Sequence, residues 1–130
     1  MREYAKISTT IWNSRKFLSV DDDARLVYLY LHTCSQVNSI GCFVLKDGYA
    51  ATDLGWDVKR YRNSIDTLSK AFLIAFDTDE CVVRIIDFFK FDPFMNVNHA
   101  KGAIKLALML PDSPQKINVF KDMQENRFAQ

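Results

Sequence analysis

The sequence predicts an α+β chain that is mainly helical, and three observations lead there. Apolar residues recur at helical spacing in several segments. The pattern changes to runs of Ile, Val and Phe over residues 73–77 and 81–88. A single glycine, Gly55, separates two helical segments closely enough to force a tight turn. The chain has 130 residues, 48% hydrophobic and 25% charged. Those values exclude a disordered, collagen-like or low-complexity chain. The length fits one domain with or without a tail. The expected division is a body over residues 1–95 and a C-terminal helical extension over residues 96–130, packed on it and fraying at its last residues.

The elements follow in order. Residues 4–8 alternate and read as a short edge strand, and residues 11–16 as one or two helical turns. The first long helix is expected to start near Ser19. Ser19, Val20, Asp21 and Asp22 resemble a capping box with Asp in place of Glu. Three consecutive aspartates suit the positive end of the helix dipole. Ala24, Val27, Tyr28 and Leu31 then form an amphipathic stripe, and the helix is expected to end near Cys34. Residues 38–41 read as a turn and residues 42–45 as a short strand. Residues 46–54 read as a helix with Asp47 as candidate cap, stopped by Gly55. Asp57 caps the next helix, whose stripe is Val58, Tyr61, Ile65, Leu68 and Phe72. Residues 78–80 are short enough for a hairpin turn between the two strand-like runs. Residues 96–110 and 115–126 read as two further helices, the last carrying Ile117, Phe120 and Met123.

Several function classes are set aside. No apolar run approaches the roughly 18 residues of a membrane helix. The N-terminus lacks an apolar signal core, so export is not expected. The expectation is no membrane partner and a cytoplasmic location. Cys34, Cys42 and Cys81 are odd in number and form no CxxC pair, which argues for a reducing compartment. His32 and Cys34 lie two apart on a helix, about 200° around its axis, and cannot share a metal. Asp21, Asp22 and Asp23 fan out in the same way. No metal and no cofactor are expected. No P-loop, GxSxG, HExxH or GxGxxG is present. No catalytic residue is assigned, and the chain is not expected to be an enzyme.

The element order is helix, short strand, helix, Gly turn, helix, β-hairpin. That is the order of a winged helix-turn-helix, with the hairpin as wing and extra C-terminal helices. In DNA-binding versions the second helix of the pair lies in the major groove. Here its outer face would present Lys59, Asn63, Asp66, Thr67 and Lys70, with Arg60 and Arg62 on the flanks. Over residues 57–72, four basic side chains stand against two acidic ones, a balance of +2. Arg and Lys neutralise phosphates or read guanine, and Asn63 can read adenine. The candidate DNA-binding residues are therefore Lys59, Arg60, Arg62, Asn63, Thr67 and Lys70. The wing tip, with Asp77, Asp79 and Glu80, would be repelled by phosphate. Arg84 and Lys90 lie beyond it, within potential reach of backbone. Arg2, Lys6, Arg15 and Lys16 add charge near the N-terminus, and Lys101 and Lys105 on a later helix. The run Phe88, Phe89, Phe91 and Phe94 reads as core closure in preference to a base-stacking platform, because four exposed Phe would aggregate.

The chain resembles the winged-helix N-terminal domain of phage replication initiation proteins, the replisome organisers. The matching pieces are Lys6-Ile7 with Ile11-Trp12, Phe17-Leu18-Ser19, and Asp23-Ala24-Arg25-Leu26-Val27-Tyr28-Leu29-Tyr30-Leu31. They continue through Gly41-Cys42-Phe43, Ala51-Thr52-Asp53-Leu54-Gly55-Trp56 and Leu68-Ser69-Lys70-Ala71-Phe72. They close with Ile86-Asp87-Phe88-Phe89-Lys90-Phe91-Asp92-Pro93 and Ala107-Leu108-Met109-Leu110-Pro111-Asp112-Ser113. Coverage is about residues 4–115, and the order and spacing of the pieces carry the likeness. The resemblance implies binding of double-stranded origin DNA in a bacterial host cell, with residues 57–70 as recognition helix. Such proteins usually continue into a region that engages helicase loading. The expectation is either a domain of something longer or a protein acting by DNA binding alone. A winged-helix transcriptional regulator and a protein-interaction module of a replication complex stay open beside it. A homodimer through residues 96–126 would strengthen weak DNA contacts.

Overall fold

The strands alternate sharply in where their side chains go, and that alternation organises the molecule. The structure, a computed structural model, describes residues 3–125. After a 3-10 turn (Thr9–Asn13) come α1 (Arg15–Ser19), α2 (Asp22–Thr33), β1 (Cys42–Val44), α3 (Asp47–Leu54) and α4 (Val58–Lys70). Then follow β2 (Ile74–Asp77), β3 (Val82–Ile85), α5 (Phe88–Phe91), α6 (Val97–Leu108) and α7 (Pro114–Gln124). The chain is thus mainly helical with one small antiparallel sheet, ordered β1-β3-β2.

Phe43 pairs with Val83, which pairs with Phe76 on the other side, and Ile74 pairs with Ile85. This row joins a core formed with Phe17, Val27, Leu31, Tyr61, Ile65 and Leu68 of α1, α2 and α4. The residues between them point the other way, as the two-residue period of a strand requires. Cys42, Val44 and Val82 pack with Phe94 and with Ala100, Ala103, Ala107, Val119 and Met123 of α6 and α7. Arg84 also faces that side. Its Nη1 donates to Asp122 at 2.7 Å and its Nε to Gln115 at 2.8 Å, tying α7 to the sheet. Arg84 is therefore spent on structure and does not serve as the free cation anticipated beyond the wing. Lys90 pairs with Asp87 at 3.3 Å.

Rings link the two cores. Trp12, Phe17, Tyr28, His32, Phe88, Phe89, Phe94 and His99 touch in succession, with centroids 4.6 to 6.5 Å apart. Phe88 and Phe94 are buried and Phe89 half-buried, as core closure requires, whereas Phe91 is exposed. Gly41 has φ +62°, and a Cβ there would sit 2.3 Å from the Phe88 ring. Both the backbone and the close ring call for glycine.

Local signals explain most boundaries. Gly55 adopts φ 71°, its N–H donating to Thr52 O and that of Trp56 to Ala51 O, a Schellman end for α3. Asp57 accepts from the Arg60 N–H at 2.7 Å, and Asn96 and Ser113 cap α6 and α7 in the same way. Several expectations need correction. Residues 4–8 form no strand. The long helix starts at Asp22, capped by Asp21, because Val20 is extended and splits off α1; Ser19 turns its hydroxyl back to Lys16 O. Asp47 lies inside α3 and caps nothing; its carboxylate accepts from Arg62. The run 81–88 is a strand only over Val82–Ile85, because Phe88 begins a helical turn. Val58 and Ile117 are largely exposed despite their periodic spacing. The expected fraying of residues 126–130 lies outside the described residues, as does Arg2.

Phe72 departs most from its expected place. The spacing makes it the last member of the α4 stripe, yet it is 68% exposed at φ 60°, just past the helix. The N–H of Phe72 donates to Ser69 O and that of Leu73 to Leu68 O. This is again a Schellman end, now with a bulky residue in the left-handed position that favours glycine. Phe72→Gly is therefore expected to stabilise the fold by about 1 kcal/mol, read as a higher urea midpoint at unchanged m-value.

His32 is buried, and burial pulls its pKa down to about 4. In the unfolded chain the ring takes up a proton below about pH 6.5. The unfolded state then binds more protons, so stability is full above that pH and falls as pH drops towards 4. The expected loss is about 3 kcal/mol at pH 4. Urea unfolding across that range tests it, and His32→Phe should flatten this part of the slope.

Candidate nucleic-acid interface

Helix α4 buries Tyr61, Ser64, Ile65 and Leu68 against α2, α3 and the sheet. That fixes which face looks outward. Lys59, Asn63, Asp66 and Lys70 lie within about 60° of one another around the axis, and all four are exposed. Thr67 is half-buried, its hydroxyl donating to Asn63 O at 3.0 Å. Lys59 and Lys70 make no ion pair among the described residues.

The two arginines of α4 behave differently. Arg60 grips Asp23 of α2 with two bonds, Nε to Oδ2 at 2.8 Å and Nη2 to Oδ1 at 2.9 Å. Its guanidinium also stacks on Trp56, 4.0 Å from the ring centroid. The bonded guanidinium holds the Asp23 carboxyl below its ordinary range, and Asp23 in turn raises the arginine. Arg62 donates from Nε to Asp47 Oδ2 at 2.7 Å and covers the Phe76 ring at 4.6 Å. Thus Arg62 joins α3, α4 and β2, and Arg60 joins α2 and α4. Of the six sequence-predicted site residues, Lys59, Asn63 and Lys70 form one free stripe. Thr67 sits beside it, and the arginines are engaged within the fold.

Asp23 and Asp47 do not show as partners in the sequence. They lie 37 and 15 residues from their arginines, so no helical spacing reveals them. Other charges lie close by. Lys16 Nζ donates to the Phe72 carbonyl at 3.3 Å, which brings α1 to the C-terminal end of α4. The hairpin tip stays acidic and exposed at Asp79 and Glu80, while Asp77 Oδ1 accepts from both of their N–H groups. No group of three or more His, Cys, Asp or Glu among the described residues could hold a metal. No helix among them is long and apolar enough to cross a membrane. Compared with known proteins, the chain matches no family model, no curated protein and no solved structure.

The two arginine pairs differ in burial. Arg62 and Asp47 side chains are 26% and 22% exposed, and Asp47 Oδ1 is buried without a partner. Arg62→Ala is expected to cost about 2 kcal/mol, because it leaves a half-buried carboxylate unpaired. Arg60→Ala, on the exposed pair, should leave the urea midpoint close to wild type.

Proposed function

We propose that the chain is a non-enzymatic double-stranded DNA-binding module of the winged helix-turn-helix type, serving phage or prophage replication initiation. In this reading α2, α3 and α4 are the helical trio, β2 and β3 are the wing, and β1 completes the sheet. The carrying observation is the free stripe of Lys59, Asn63 and Lys70 on the second helix of the tight α3–α4 pair. Two lysines suit phosphate contacts, and an exposed Asn suits a base edge. The resemblance of the sequence to replisome organisers supports replication over transcription control. A bacterial cytoplasmic setting belongs to the same reading.

A protein-interaction role is the second reading. It is favoured by Leu108, Met109 and Ile117, which are 61%, 80% and 60% exposed around the α6–α7 corner. A partner protein or a second copy would cover such residues.

Fluorescence anisotropy with duplex DNA at several salt concentrations separates these readings. Each phosphate contact contributes about −0.9 to the slope of log Kobs against log salt. Contacts from Lys59 and Lys70 alone give a slope near about −2, and release of both arginines gives near about −4. Lys59→Ala and Lys70→Ala should each weaken binding at unchanged stability. Asp23→Asn should strengthen it by freeing Arg60 and removing a negative charge. No salt-sensitive binding at low salt would reject the DNA module and favour a protein partner.

A further inference from the structure

Helix α6 carries two rows of residues at helix-packing spacing, and only one of them is covered. The inner row is Ala100, Ala103, Ala107 and Leu110, buried with Cys42, Val82, Val119 and Met123. The second row is Val97, Lys101, Ile104 and Leu108, at steps of four, three and four. Such steps keep residues along the one side of a helix that faces another helix. The second row lies about 110° around the axis from the inner one. Val97, Lys101 and Leu108 are exposed, and Ile104 is half-buried at the edge nearer the alanines. Lys105 and Met109, both exposed, border the other edge. We propose that this row docks an acidic amphipathic helix of another protein. Carboxylates of that helix would meet Lys101 and Lys105, and its apolar side chains would cover Val97, Ile104, Leu108 and Met109.

Charge selects the occupant. Lys101 and Lys105 stand one turn apart and make no ion pair among the described residues. No Asp or Glu occurs between Asp92 and Asp112, so α6 supplies no acid to answer them. A second copy is a poor match, because pairing two α6 helices would gather the lysines of both with no acid from either. Duplex phosphates suit the lysines but would leave Val97, Leu108 and Met109 in water. A lipid surface is disfavoured by Lys101, which stands inside the row and would carry its charge towards hydrocarbon. A helix with carboxylates set among apolar residues answers both features at once. The row runs about 16 Å, so about three turns of partner helix cover it. This inference rests on the protein-interaction reading, gives that partner its chemistry, and uses no residue of the α4 stripe.

The test is an NMR titration of the full 130-residue chain with two helical peptides of about three heptads. One has Leu along its seam and Glu beside it; the other has Gln in place of every Glu. The Glu peptide should shift the amide signals of residues 97–109 saturably and bind about fivefold more tightly than the Gln peptide at low salt. That preference should shrink at about 0.5 M salt. The double variant Lys101→Ala, Lys105→Ala should erase it, and Leu108→Gln should weaken both peptides. All three positions are exposed, so these variants are expected to fold. Equal binding of the two peptides would overturn the acidic partner while leaving the docking surface. Binding of neither would overturn the surface and the protein-interaction reading with it. Three results would give the row to another occupant and also overturn the proposal: a dimer in sedimentation equilibrium that Leu108→Gln dissociates, duplex DNA shifting residues 97–109, or binding to phosphatidylserine-containing vesicles that Leu108→Gln abolishes.

Discussion

Three strands of three or four residues cannot hold a sheet together in water. The fold depends on covering both faces of this one. Phe43, Val83, Ile74 and Ile85 need the α2–α4 layer, while Cys42, Val44 and Val82 need α6 and α7. The C-terminal helices are therefore half of what keeps the hairpin in place. Small alanines on α6 let that helix lie close, and Arg84 fastens α7 from the sheet itself. Positioning of α4 follows from the same packing, since its buried face meets β2 and α2.

What the sequence revealed divides along the range of the interactions. Gly55, Asp57, Asn96 and the stripe of Tyr61, Ile65 and Leu68 act within a turn or two, and each stands where local reasoning put it. Val20, inside the expected capping box, and Phe72, on the expected α4 stripe, lie outside the helices, because the chain must turn there to pack α1 and β2. Residues 4–8 alternate like a strand, yet they pair with neither outer edge of the β1-β3-β2 sheet. Alternation alone cannot say whether a sheet edge is on offer.

The candidate interface was legible as a helix and as a face, but not in its charge. Counting over residues 57–72 gives a balance of +2, which suggests a cationic surface. Long-range pairing removes the arginines from that sum. Asp23 neutralises Arg60 and Asp47 neutralises Arg62, leaving Lys59 and Lys70 against Asp57 and Asp66. The helix that would read DNA is thus nearly neutral as folded. A single copy then draws little affinity from phosphates, and much of any discrimination falls to the geometry of Asn63 and the lysines.

Helix α2 connects these features and explains why they coexist. Its first turn holds Arg60 through Asp23, and its middle reaches α3 as Tyr30 donates to Asp53 at 2.7 Å. Its last turn sets His32 against Tyr28 and Phe88 in the run of touching rings. Twelve residues at about 1.5 Å each span roughly 18 Å, so one rigid rod touches both ends of the body. Asp23 therefore has two opposed effects: it anchors α4 to α2 and it blunts the charge of the proposed DNA face. The Arg60 pair is exposed, and exposed pairs contribute little to stability. Its stronger consequence is electrostatic: phosphate would compete with Asp23 for Arg60, and the fold need not yield for that exchange to occur.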